Sequence, residues 1–465
     1  MRPQAYLPLL LLMIASAAFA QRNISYYRND GKFNQVKIDN STAIRHSVSG
    51  SGEASILADD WIEGEVDIPL TALDSCVLKP TDIPTLRLAF TDYPDVDCLW
   101  EKALYLAATL DVEGNGYTED AEGLSLQVKG RGNTSWVMPK KPMRLKFPKK
   151  TSICGLRKAK NFVLLNNYLD PSLMRNALAM WLAQKLEVPY ANTIVPCNVF
   201  INGHYAGSYT LTEKVGINGA SVDIDESTGI LFELSKEYDE KYKFKSPIYN
   251  LPVMVKDPDF DELYEENPEG LTPEARLAMW QEDFNKAENL ASLGRGFEAF
   301  DLASVVNYTL VFDMFQNSEI GHPKSMYIFK RSLEEGEKYY FGPAWDFDVS
   351  ANFANEDQIV RNPNGGLWMN KLMKQLALDP EYKAMYAQRV AYLVNDLFPE
   401  FLAYFDQYAL TIEASAKLNG LRWPYTGVVQ GWAYAYPSFD TTKQVNSLRE
   451  WLIARADYLR KSWLE

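Results

Sequence analysis

The segment Tyr340-Phe341-Gly342-Pro343-Ala344-Trp345-Asp346-Phe347-Asp348 places two carboxylates one residue apart, directly after a Gly-Pro turn and an aromatic residue. In an extended backbone, side chains alternate between two faces, so Asp346 and Asp348 would project to the same face. Two acids on one face repel each other unless a cation lies between them, and Mg²⁺ takes such oxygen ligands together with substrate phosphates. The pattern predicts either a divalent-metal site or an aspartate-rich surface turn beside a packed tryptophan.

The residues before this segment predict a hairpin and a helix. Two short strands at 326–331 and 338–341 form the hairpin that leads into the acids, and a polar loop at 316–325 precedes it. A helix before that loop is expected to begin after Asp301, which serves as its cap. Residues 258–465 are therefore expected to form a mainly helical part of the protein.

Residues 82–257 predict a β-rich region with one main helix. The turn at 130–136 combines glycines with hydroxyl and amide groups, and successive backbone N–H groups in such turns can bind an anion. Arg144 and Lys146 follow on one face of the next strand. They can either reach the same anion or form a solvated basic edge.

The helix and the hairpin of this region have clear local signals. Asp170, followed by a proline, predicts the start of a helix that continues to about Leu186. Arg175 and Asn176, near its start, are expected to connect two parts of the fold or to contact phosphate. The dipeptide at 202–203, Asn-Gly, predicts a two-residue β-hairpin turn.

Composition supports a large folded core and argues against nucleic acid as a partner. The chain has 465 residues, of which 47% are hydrophobic and 13% aromatic, and a formal charge of −14. A nucleic-acid binder normally shows a basic face. The four cysteines contain no CxxC pair, which argues against a zinc site. They allow three disulfide pairings, or they are free and buried.

The first 20 residues have the pattern of a secretory signal peptide. A basic residue, a short apolar run and the small-x-small sequence Ala18-Phe19-Ala20 occur in that order. We therefore expect an exported protein with no membrane span, located in the periplasm, at the cell surface or outside the cell. Residues 21–80 predict a small β-rich N-terminal extension.

The order of these parts is the order found in kinase-type phosphoryl transfer. There, a backbone loop covers phosphates, a lysine pairs with them, a loop carboxylate orients the acceptor, and an acid holds the metal. The chain resembles the CotH kinase family over about residues 82–400. The segments that carry this resemblance are 130–136 with 140–147, 164–170 with 174–176, 199–209 with 213–214, 317–325, and 342–348.

The resemblance implies a fold, cofactors and a set of site residues. The implied fold is an α+β, divergent two-lobed protein-kinase-like fold, with a β-rich N-lobe at 82–257 and a mainly α C-lobe at 258–465. The implied cofactors are ATP and Mg²⁺ (or Mn²⁺). The implied nucleotide-binding residues are Arg131, Asn133, Ser135, Arg144, Lys146 and Glu213.

The catalytic residues follow from the same resemblance. Lys146 matches the phosphate-binding lysine, and Glu213 is the candidate for its supporting acid. Asp346 matches the metal-binding acid, and Asp348 is either a second ligand of the metal or a residue that supports the ligand. The loop asparagine and the residue that orients the acceptor correspond to Asn317 and Glu319, where the family pattern usually has aspartate in place of that glutamate.

The expected function is that of an exported kinase. It would transfer the γ-phosphoryl group of ATP to serine or threonine of a secreted or envelope protein. Two alternatives remain open at this point: a catalytically inactive kinase-like scaffold or binding protein of the cell envelope, and a nucleotidyl transferase on the same fold.

Overall fold

The computed structural model describes residues 83–116, 118–351, 363–423 and 441–465, together with the backbone of six strands within residues 22–77. The expected signal peptide lies outside the described residues. Cys98, Cys154 and Cys197 are free thiols, and the side chain of Cys76 is outside the described part.

The six N-terminal strands form two antiparallel three-stranded sheets. Their orders are β2-β1-β6 and β3-β4-β5. The strands are β1 (Arg22–Arg28), β2 (Phe33–Ile38), β3 (Arg45–Val48), β4 (Ala54–Asp60), β5 (Gly64–Pro69) and β6 (Leu73–Val77).

A closed seven-stranded barrel follows. Its strands are β7 (Thr85–Phe90), β8 (Tyr105–Glu113), β9 (Ala121–Gly130), β10 (Met143–Thr151), β11 (Ala159–Leu165), β12 (Val195–Ile201) and β13 (His204–Glu213). They are arranged in the order β10-β11-β13-β12-β7-β8-β9, and β9 pairs with β10 to close the ring. All pairs are antiparallel except β7 with β12. The expected Asn-Gly turn at 202–203 joins β12 to β13, so that prediction is confirmed.

Side-chain alternation fills the barrel interior. On β10, Met143, Leu145 and Phe147 are buried, whereas Arg144 and Lys146 lie on the other face. The inward residues of all seven strands pack into one apolar cluster. The barrel is therefore a packed core and carries its chemistry on its rim.

A second sheet lies beyond the barrel in the sequence. It contains β14 (Ile230–Leu234), β15 (Lys243–Lys245), β16 (Pro252–Asp257), β17 (Met326–Lys330) and β18 (Tyr340–Phe341). Its order is β15-β16-β14-β17-β18, and each pair is antiparallel.

Helices cover this sheet and share its core. They are α1 (Thr134–Val137), α2 (Arg175–Lys185), α3 (Phe260–Glu266), α4 (Pro273–Ser292), α5 (Leu302–Met314), α6 (Lys371–Leu376), α7 (Pro380–Tyr392), α8 (Phe398–Arg422) and α9 (Thr441–Trp463). The large apolar cluster joins α2, α5 and the helices after α6 to the five-stranded sheet. None of the helices in the described ranges has the length and apolarity needed to cross a membrane.

The expected two-lobed kinase-like fold is wrong. The first seven strands of the expected N-lobe form a closed barrel. Strands β14 and β16, which the sequence also assigned to the N-lobe, belong instead to one sheet together with β17 and β18. The expected boundary at residues 257 and 258 therefore divides a single sheet. Alternating apolar residues identify a strand but not its partner, and the β7–β12 pair joins strands more than a hundred residues apart.

The predicted starts of two helices have different outcomes. Asp301 caps α5, because its carboxylate accepts a hydrogen bond from Ser304 N at 2.7 Å, as expected. The helix expected after Asp170 begins later, at Arg175. Asp170 instead accepts bonds from the backbone N–H groups of Ser172 (3.0 Å) and Arg175 (2.8 Å), which makes a turn before the helix.

Candidate active site

A cleft of about 770 Å³ opens where the rim of the barrel meets the five-stranded sheet. The turn after β9, the loop between β11 and α2, strands β14, β16 and β17, and the loops at 318–325 and 345–349 line it. Of the site residues predicted from sequence, the lining includes Arg131, Asn133, Ser135, Glu319, Asp346 and Asp348.

The two aspartates, here called the acid pair (Asp346 and Asp348), lie on a strained loop after β18. Asp346 has φ +68°, a left-handed conformation that is costly for a residue other than glycine. Neighbours hold this geometry: Asn317 Nδ2 donates to the carbonyl oxygen of Asp346 at 2.9 Å, and Phe347 N donates to Asn176 Oδ1 at 2.9 Å. The backbone is thus not the extended strand considered from sequence, although Asp348 still lies close enough to Asp346 that, besides burial, the charge of Asp346 raises the pKa of Asp348.

Asn317 connects the acid pair to the loop that carries Glu319. Its Oδ1 accepts a hydrogen bond from Glu319 N at 3.0 Å and so caps the one-turn 3₁₀ helix Ser318–Ile320. Its Nδ2 holds Asp346, as described above. Asn317 is 1% exposed and does not line the cleft, so it is a positioning residue beneath the site.

Glu319 faces the acid pair in an environment that disfavours its charge. Its Oε1 lies 3.2 Å from Lys324 Nζ, and its Oε2 is buried with no hydrogen-bond partner among the described residues. Burial and then the charge of Asp346 raise the pKa of Glu319 to about 9, against the opposing effect of Lys324. Burial, followed by Asp346, also raises the pKa of Asp348 well above its ordinary value.

These carboxyl groups fit a divalent cation. The unpartnered Oε2 of Glu319 and two acids close together are the features that a cation would stabilise. In the described residues, no group of three or more His, Cys, Asp or Glu side chains is arranged to hold a metal on its own. A cation here would therefore need phosphate or water oxygens as well, which is usual for Mg²⁺.

Two cationic side chains, those of Arg131 and Lys256, line the same cleft. Arg131 lies with its guanidinium 5.8 Å from the centre of the Trp345 ring, and burial lowers its pKa while the acid pair and Glu233 oppose that effect. Lys256 Nζ pairs with Glu233 at 2.8 Å and Glu240 at 3.0 Å. The turn that carries Arg131 requires glycine next, because Gly132 has φ +81° and a Cβ there would collide with Ser135 Oγ.

Three of the nucleotide-binding residues predicted from sequence do not reach the cleft. Arg144 donates to Asn161 Oδ1 at 2.8 and 3.1 Å, and Lys146 is exposed with its Nζ 5.6 Å from the Tyr105 ring centre. Glu213 accepts a bond from Thr193 N at 3.0 Å. Lys146 and Glu213 also point to opposite faces of the barrel wall.

The strand register explains that separation. Lys146 is paired with Asn161, whereas Glu213 is paired with the next residue, Phe162. Directly paired residues share a face, and successive residues alternate. Phe162 is buried inside the barrel, so Glu213 shares that face while Lys146 faces outward.

The Lys–Glu ion pair of the cleft, Lys256 with Glu233, escaped sequence reasoning. Both residues lie on strands of the second sheet, β16 and β14. Their signal in the sequence was weak: Glu233 and Lys256 each come directly after a short run of apolar residues. Many structural residues share that pattern, so nothing local distinguished this pair.

A comparison with protein families supports the resemblance stated above. The family model described as CotH kinase protein matches residues 128–459, which is most of the chain. No curated protein matches the sequence. The matched range contains the turn with Arg131, the Glu319 loop and the acid pair. The chain therefore belongs to the CotH kinase protein family.

Proposed function

We propose that this protein is a metal-dependent kinase that transfers the γ-phosphoryl group of ATP to a serine or threonine hydroxyl of a secreted or envelope protein. The observation that carries this proposal is a single cleft that brings the acid pair and Glu319 together with Arg131 and Lys256. Family membership supports phosphoryl transfer as the type of reaction.

The two cationic side chains of the cleft would bind the nucleotide phosphates. Arg131 and Lys256 lie in the cleft, and guanidinium and ammonium groups are the usual protein partners of phosphate. The turn at 131–135 adds backbone N–H groups and the hydroxyls of Thr134 and Ser135. These residues are now the candidates for phosphate binding, in place of Arg144 and Lys146 on β10.

The acid pair would hold the divalent cation. When bound, such a cation neutralises charge on the phosphate oxygens during transfer. Asn317 and Asn176 fix the loop that carries the two carboxylates, so the site is ordered before its ligands arrive.

Glu319 would orient the acceptor hydroxyl. The hydroxyl oxygen attacks the γ-phosphorus, the bond from that phosphorus to the β–γ bridging oxygen breaks, and ADP leaves with the electron pair. The hydroxyl proton passes to Glu319 once that carboxyl group is ionised. The unpartnered Oε2 is the oxygen available for this contact.

The proposal is tested with purified protein, Mg²⁺ or Mn²⁺, and ATP labelled at the γ- or the α-phosphate. We expect γ-label on protein acceptors, reduced at least 100-fold in Asp346→Asn, because the cation loses a charged ligand. Asp406→Asn is the matched control, since Asp406 pairs with Arg449 on the surface.

Three outcomes would contradict the proposal. Transfer of α-label would indicate nucleotidyl transfer, and equal activity of wild type and Asp346→Asn would place the chemistry elsewhere. If calorimetry detects no nucleotide binding, the remaining alternative is a catalytically inactive scaffold.

A further inference from the structure

A lysine occupies the acidic side of the cleft. Lys324 Nζ lies 3.2 Å from Glu319 Oε1, and its side chain is 16% exposed. The backbone N–H of Lys324 also donates to the carbonyl oxygen of Glu319 at 3.2 Å. The next residue, Ser325, donates its hydroxyl to Asp346 Oδ2 at 3.3 Å. The lysine is therefore held at Glu319 and lies within electrostatic reach of the acid pair.

The surroundings of Lys324 keep it charged. Burial alone would lower its pKa, but the neighbouring carboxyl groups, Asp346 first, outweigh burial and raise the pKa to about 12. Lys324 thus supplies a positive charge in the same group of carboxylates that would hold a metal ion. Arg131 is a second cation near the acid pair, and its guanidinium packs on the ring of Trp345, the residue that precedes Asp346.

A metal ion that enters alone has to compete with this ammonium group. Like charges a few ångströms apart repel strongly where water is partly excluded. A metal ion that enters with a nucleotide brings phosphate oxygens, which give the ammonium group a new partner. Lysine suits such a change, because its charge is compact and its stem is flexible.

We propose that Lys324 is a built-in counter-cation that makes the acid pair select a metal–nucleotide complex over a free metal ion. The inference rests on the proposed function for the identity of the ligand, a nucleoside triphosphate. Lys324 is a positioning residue in this account: it weakens binding of the metal alone and pairs with phosphate when both arrive.

The test measures metal affinity apart from activity. Metal-free protein is titrated with Mn²⁺, and free Mn²⁺ is followed by electron paramagnetic resonance, with and without a non-hydrolysable ATP analogue. Lys324→Met removes the charge at similar size, and Lys324→Arg retains it. We expect Lys324→Met to bind Mn²⁺ alone at least tenfold more tightly than wild type, while Lys324→Arg stays within threefold.

In the titration with the ATP analogue, the loss of the lysine charge should be a disadvantage. Wild-type affinity for Mn²⁺ should rise on adding the analogue by a factor that shrinks at least tenfold in Lys324→Met. Melting curves followed by circular dichroism test whether the variants are folded. If Lys324→Met is unfolded, Lys324→Gln serves as the neutral variant.

The inference is overturned if folded neutral variants bind Mn²⁺ alone no more tightly than wild type, or if Asp346→Asn leaves that binding unchanged. Absence of Mn²⁺ binding in both wild type and neutral variants also overturns it. If the neutral variant binds Mn²⁺ tenfold more tightly but the wild type transfers no γ-label, the inference about Lys324 is supported and the proposed kinase activity is contradicted.

Discussion

The protonation of Glu319 makes the stability of the protein depend on pH. The pKa of this residue is about 9 in the folded protein, because burial and Asp346 disfavour its charge, and close to 4.3 in an unfolded chain. Between these values the folded state binds one proton more than the unfolded state. The free energy of unfolding therefore falls as the pH rises across this window.

The first prediction concerns the variant Glu319→Gln without metal. Glutamine stays neutral in both states, so the loss of stability between pH 5 and pH 9 should be shallower than in wild type. Denaturant midpoints measured at several pH values with a chelator present would show it. Glu274→Gln, at an exposed position of α4, is the control, and parallel profiles for wild type and Glu319→Gln would contradict the assignment.

Helix α2 reaches the acid pair through a single amide. Asn176 accepts the hydrogen bond of Phe347 N and donates to Asn167 Oδ1 at 3.3 Å, so the loop between β11 and α2 is connected to the loop after β18. The sequence pattern allowed Asn176 either a structural or a phosphate-contacting role. The geometry gives it a bond to the backbone between the two acids.

The second prediction is that Asn176→Ala lowers γ-phosphoryl transfer about 100-fold, since a small displacement of catalytic groups has an effect of that order. Asn192→Ala is the matched control. Asn192 is also buried, donates to Thr212 Oγ1 and the carbonyl oxygen of Glu213, and lies outside the cleft lining. Equal activity loss in the two variants, assayed where both are folded, would show that Asn176 acts only through stability.

Local elements were predictable from sequence, but their partners were not. The Asn-Gly hairpin and the Asp301 cap depend on residues close in sequence, and both were confirmed. Lys146 and Glu213 were assigned by their order along the chain, which carries no information on the face or register of a strand. The acids and Arg131 were identified because they lie on turns with distinctive sequences, and the structure brings them to one cleft.

At the scale of the whole molecule, a buried lysine joins the barrel to α8. Lys140 Nζ donates to Asn419 Oδ1 at 2.6 Å and also to the carbonyl oxygen of Ser208. Asn419 Oδ1 in addition accepts a bond from Ser208 N at 3.1 Å. One amide oxygen of the helix thus satisfies two buried donors of the barrel region.

The third prediction is that Asn419→Ala lowers the free energy of unfolding by about 2 kcal/mol, at ~1 kcal/mol for each donor left without this acceptor. Ser415→Ala is the control on the same helix, because the Ser415 hydroxyl donates its one proton to Asn198 Oδ1 of the barrel at 2.7 Å. It should cost about half as much. A greater loss in Ser415→Ala in denaturant titrations would contradict this reading of the contact.

The closed ring of strands has a consequence for where the functional unit begins. The family match starts at Val128, within β9, so β7, β8 and most of β9 lie before it. A polypeptide cut at Val128 would lose β7 and β8, so β12 and the remaining residues of β9 would have unpaired backbone groups, two free edges of the kind that drive aggregation. The folded unit is thus longer than the segment that the family model matches. We expect a polypeptide starting at Val128 to be insoluble on expression, where one starting before β7 is soluble.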